Sequence, residues 1–152
     1  MEAHDRKIII MDRASEEPYL ERYYLFLKDR KRFPFNVFLH KFLKSDPDEV
    51  HDHPWPFATL ILKGGYWEWT PQFNSNGEQI GEVAKWCGPG SFRWSGATSY
   101  HRIEIDPAVT CWTLFMPGPQ KREWGFLVKN KWIPHGDYLE HKQHYSRVSS
   151  NI

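Results

Sequence analysis

Apolar residues along the chain fall in short runs closed off by Gly, Pro, Asn or Asp, and few of them keep a helical period. Phe57 to Leu62 is apolar at successive positions, as expected of a strand covered on both faces. It stops at Gly64-Gly65, after which "TPQFNSNGEQIG" reads as a hairpin loop. A turn "CGPGS" precedes "FRWSGATSYHRIEI" and the strand "TCWTLFMPG", and "REWGFLVKNKW" predicts a last pair of strands around Lys129-Asn130. The stretch "YLERYYLFLKDRKRFPFNVFLHKFLK" admits two readings. Leu20, Tyr23 or Tyr24, and Leu27 fit one helical face, but the aromatic and β-branched content and the turn-like "KDRKRFPFN" favour two strands of a hairpin. From Pro134 on, "HGDYLEHKQHYSRVSSNI" predicts a short helix and a frayed tail. Many short strands joined by turns predict an all-β sandwich or barrel.

Composition sharpens this picture. The 152 residues suit one domain, 1–152, with a core at about 35–128, N-terminal strands within 19–43 and a polar tail over 134–152. Aromatics supply 16% of the chain, with 8 Trp, 11 Pro and 10 Gly, a mixture that favours strands and turns. A net charge of +1 with no basic face argues against a nucleic-acid partner. The apolar stretch Ile8 to Met11 is too short for a secretory segment, and nothing approaches a membrane span, so a cytoplasmic protein without a membrane partner is expected. Cys87 and Cys111 lack metal-ligand spacing and are read as reduced thiols, with one disulfide as the alternative.

The candidate chemistry lies at the head of the apolar strand, in "VHDHPWPF". Alternate residues of a strand share a face, so His51 and His53 project side by side and Asp52 points away. Pro54 and Pro56 exclude a helix there. Two imidazoles so placed can occupy neighbouring positions on one metal ion, although a lone His-x-His is a weak signal and a structural role is the ordinary reading.

The order of events downstream strengthens the metal reading. After His51 and His53 come the strand, Gly64-Gly65, a hairpin, Pro89-Gly90, Ser95-Gly96 and then His101. This arrangement, over roughly Val37 to Phe126, resembles the two motifs of the cupin superfamily. The resemblance implies a jelly roll, or double-stranded β-helix, holding one metal near its mouth through His51, His53 and His101. Many cupins add a glutamate a few residues past the His-x-His. Here Phe57, Ala58, Thr59 and Leu60 occupy that region, and Glu68 is a substitute expected to be exposed. The string "HDHP" is also locally similar to thiol dioxygenases, cupins that bind ferrous iron through three histidines.

A divalent transition metal is therefore expected, Fe(II) first, with Zn, Ni or Mn as alternatives. Three imidazoles with open coordination positions suit a mononuclear non-haem oxygenase acting on a small molecule. A 2-oxoglutarate dependence would want a carboxylate where His53 stands. The alternatives are a zinc-type hydrolase or isomerase and a non-catalytic binding or accessory cupin, and a homodimer is expected from the family habit. His40, Thr59, Trp112 and Arg93 are candidate substrate contacts. Each also has an ordinary reading: a rim histidine, an inward-facing threonine, a core tryptophan and, for Arg93 and Arg122 alike, a surface salt bridge. His135, His141 and His144 receive no role.

Overall fold

The computed structural model describes residues 6–12, 17–28, 33–46 and 49–138. Among these residues eleven strands run in chain order: β1 Lys7–Met11, β2 Pro18–Tyr24, β3 Phe38–Phe42, β4 Phe57–Lys63, β5 Tyr66–Phe73, β6 Gln79–Cys87, β7 Phe92–Ser95, β8 Arg102–Glu104, β9 Cys111–Pro117, β10 Gly125–Val128 and β11 Lys131–Pro134. One sheet has the order β1-β2-β3-β9-β4-β7, a second β6-β5-β8, and β10-β11 form a hairpin. His51 completes the second layer. It forms antiparallel bridges to His101 on one side and Phe126 on the other, acting as a one-residue strand between β8 and β10. The result is the expected all-β jelly roll.

β4 lies between β9 and β7. Phe57, Ala58, Thr59 and Ile61 are all buried, which accounts for an apolar run interrupted only by Thr59. The Gly64-Gly65 turn then carries the chain from one sheet to the other. Gly64 has φ +78°, and a Cβ on it would meet the Thr110 carbonyl oxygen at 2.3 Å, so only glycine turns the chain here. The core between the sheets joins Leu20, Phe42, Ile61 and Cys111 of one to Tyr66, Cys87, Ile103 and Ile105 of the other. Both cysteines are buried free thiols.

The ambiguous stretch resolves as strands, with β2 and β3 paired antiparallel. Two details differ from the sequence reading, and a third adds to it. β1 is an additional strand formed from the apolar run at residues 8–11, which was too short to stand out. β5 and β6 extend into the expected loop and leave only a turn at residues 74–78, where Asn74 Oδ1 accepts bonds from the Asn76 and Glu78 amides. "FRWSGATSYHRIEI" is two strands in different sheets, β7 and β8, because Gly96 and the following turn redirect the chain. Residues 135–138 form one helical turn, and the rest of the expected tail lies outside the described residues.

Candidate metal centre

The backbone brings the two motifs together before any side chain is considered. His51 and His101 exchange both amide-to-carbonyl bonds at 2.9 Å, and the His53 amide donates to the Ala97 carbonyl at 3.2 Å. His51, His53 and His101 each offer a ring nitrogen, all within 4.8 Å of one another. Nε2 of His53 and Nε2 of His101 are 2.8 Å apart. The residue between them works in the opposite direction. Asp52, fully buried, accepts from the Gly125 amide at 2.7 Å and from Trp132 Nε1 at 3.0 Å, and Arg122 pairs with it at 2.8 Å. His51 and His53 therefore face the site while Asp52 fastens the strand to the β10-β11 hairpin.

Carboxylates stand behind two of the rings. Asp46 Oδ2 is 4.0 Å from Nδ1 of His51, and Glu68 Oε2 is 3.9 Å from Nδ1 of His101. These are electrostatic distances rather than direct hydrogen bonds. They bias each outer nitrogen to keep its proton and leave Nε2 as the free donor atom. Burial lowers the His51 pKa to about 4, with Asp46 opposing and His101 reinforcing the shift. Burial, and then the neighbouring His101 and His51, hold His53 well below the usual histidine range. Both rings are thus neutral near pH 7, the form that ligates metals. Burial alone would raise the Glu68 carboxyl, but His101 and Arg93 outweigh it and hold Glu68 below the ordinary carboxylate range.

The three rings line a cavity of about 320 Å³ whose walls are largely aromatic, including Phe42, Phe57, Tyr66, Phe115 and Trp124. Phe57 sits 4.4 Å from the His53 ring, centre to centre, and Trp124 6.0 Å from the His51 ring. His40 and Thr59, both buried, lie in the cavity wall. Nε2 of His40 accepts a bond from Nε of Arg22 at 2.9 Å.

Two expected contacts lie elsewhere. Trp112 is on the outer face of its sheet, because β9 alternates and Cys111 and Thr113 take the inner positions; its ring packs on Tyr23 with Lys41 above it. Arg93 does not line the cavity. It is committed to an ion pair with Glu68, which is buried at 4% exposure rather than exposed as expected. Arg122 likewise reaches a buried carboxylate, Asp52, so neither arginine makes a surface salt bridge. His135 stacks on Trp124, outside the cluster, and His141 and His144 lie outside the described residues. Sequence reasoning missed Asp46, Arg22 and Thr113 as cavity residues, together with the anchoring role of Asp52. For Glu68 the available signal was its phase, two residues from the buried Tyr66 on β5.

No family profile matches the sequence, and no curated protein resembles it. Solved structures do. The polyketide cyclase RemF from Streptomyces resistomycificus matches at a TM-score of 0.58 and 16% identity, over 95% of this chain and 94% of that one. A cupin-2 domain protein from Rhodospirillum rubrum, Rru_A2000, matches at 0.57 and 10% identity, over 88% and 78%. Fe(II) HppE matches at 0.53 and 9% identity, over 77% of this chain and 59% of that one. At such identities the likeness concerns the fold. Fold and site together define a jelly-roll barrel around a largely aromatic cavity, with a three-histidine group that could hold a divalent metal. The chain has the cupin fold.

Proposed function

We propose that the protein is a metal-dependent enzyme, a mononuclear Fe(II) oxygenase acting on a small molecule held in the cavity. One observation carries the reading: three imidazoles converge on a single wall of an aromatic cavity large enough for a substrate beside them. His51, His53 and His101 would hold the ion, and Asp46 and Glu68 would orient the outer ring nitrogens. When bound, the metal supplies coordination positions for dioxygen and substrate. Phe57, Phe115 and Trp124 would give the substrate an apolar wall beside that face.

The test is reconstitution with ferrous iron under anaerobic conditions, because affinity alone favours copper, nickel and zinc at such a site. Nitric oxide should then give a high-spin paramagnetic signal, and oxygen uptake should follow with a panel of small carboxylates and thiols. Iron-loaded protein that binds no nitric oxide has a closed coordination sphere, and the oxygenase reading is then wrong. A non-oxidative or purely binding cupin would take its place, a second reading favoured by the full-length likeness to RemF, a polyketide cyclase.

A further inference from the structure

Over β2, β3 and β9 the inner face of the larger sheet carries one polar row, and the neighbouring row turns polar only beyond Phe115, at Thr59 of β4. Across β2, β3 and β9, Arg22 pairs with His40 and His40 with Thr113. The row on one side reads Leu20, Phe42, Cys111, and on the other Tyr24, Phe38, Phe115. Three polar residues in a line between apolar rows are costly unless each finds a partner. Arg22 and His40 find each other, and since a guanidinium only donates, Nε2 of His40 is the acceptor and its proton sits on Nδ1. Burial, with the Arg22 charge adding to it, keeps the ring neutral. Thr113 is 1% exposed, and its Oγ1 has no hydrogen-bond partner among the described residues. It lies directly opposite His40, with Cβ atoms about 5 Å apart. All three residues line the same cavity as the metal-site histidines.

We infer that Arg22, His40 and Thr113 form the recognition point for a substrate carboxylate, and that the cavity takes a small aromatic carboxylic acid with its acid group on this row and its ring between Phe57, Phe115 and Trp124. The row presents a cation, a ring N–H and a hydroxyl, a set in which donors prevail, and this complements a two-oxygen anion. The Thr113 hydroxyl is enclosed as placed, and a turn about χ1 would bring it to the cavity wall, where the carboxylate supplies the partner it lacks. The inference rests on the cavity being the substrate site, and it names the substrate class for the proposed reaction.

Calorimetry with 2-naphthoate and its neutral counterpart 2-naphthalenemethanol tests it, on iron-loaded protein kept anaerobic and again after chelation. Naphthoate should bind in both states, about tenfold or more tighter than the alcohol. Thr113→Val and Arg22→Gln should each weaken naphthoate about tenfold and leave the alcohol unchanged. Thr113→Val should melt no lower than wild type, since it removes an orphan hydroxyl at constant shape, so it remains informative even if Arg22→Gln folds poorly. Equal affinity for acid and alcohol, no binding of either, or naphthoate binding unaffected by Thr113→Val overturns the assignment. Binding lost on chelation overturns it too, because the carboxylate would then sit at the three histidines. Naphthoate retained by chelated protein whose iron form binds no nitric oxide sinks only the oxygenase reading.

Discussion

The two sides of the cavity are built differently. The histidine side rests on segments with little regular structure: His51 is a one-residue strand, His53 follows it in coil, and His101 sits at a bridge just before β8. The opposite side is continuous sheet, with Arg22, His40 and Thr113 set by three full strands in register. Short irregular segments let three rings turn toward one point. Regular strands hold a flat wall for a ligand to lie against. On the histidine side, stiffness comes from buried ion pairs behind the rings, whereas the sheet side has it from the ladder itself.

This contrast can be broken at several places. The largest effect should come from replacing one ligand: His53→Ala should weaken metal binding by more than the 10–100-fold typical of an outer partner, while His40→Gln leaves occupancy at wild-type level in elemental analysis. Equal losses would mean that the two sides are not functionally distinct. Next, Asp52→Ala strips the anchor from the Gly125 amide, Trp132 and Arg122 and should cost about 3–5 kcal/mol in urea unfolding. A cost under about 1 kcal/mol would show that the hairpin holds the strand without it. Glu68→Gln keeps the shape but removes the charge beside His101 and Arg93. It should lower metal affinity about tenfold in competition with a chromophoric chelator, and unchanged affinity would confine Glu68 to packing.

The smallest effect sharpens the comparison through pH. Burial, with Arg22 nearby, holds the His40 pKa well below 6.5, so between the folded and unfolded values only the unfolded chain takes up the proton. Its contribution to stability is complete above pH 6.5 and is lost as pH falls from there toward the folded value, with a slope of at most about 1.4 kcal/mol per pH unit. His40→Gln should flatten the stability curve of the metal-free protein below pH 6.5 by that contribution. If the two curves run parallel, the ring is already solvated.

How much of this was legible in the sequence follows the same division. The shared facing of His51 and His53 and the all-β architecture were legible because strand alternation and turn placement are short-range patterns, whereas the jelly roll was implied by the cupin resemblance. Glu68 was misjudged because its burial depends on Arg93, far away in the chain and brought beside it only by the fold. Trp112 was misplaced by its size alone, since neighbouring Cys111 and Thr113 claim the interior by phase. The Arg22–His40–Thr113 row could not be read at all. It exists only through the registers of β2 with β3 and of β3 with β9, and nothing local sets those registers.

The alternation at His51, Asp52 and His53 also constrains how this stretch can change length. One residue gained or lost between Val50 and Pro54 would turn an acid toward the cavity and a histidine toward the hairpin, removing a ligand and the anchor in one event. The exposed turn at residues 74–78 carries no such double duty: a Cβ on Gly77 would meet nothing within 4 Å. Insertions and deletions introduced at random should therefore survive at that turn and be purged from the His-Asp-His tripeptide, which tolerates exchange of side chains far better than any shift of frame.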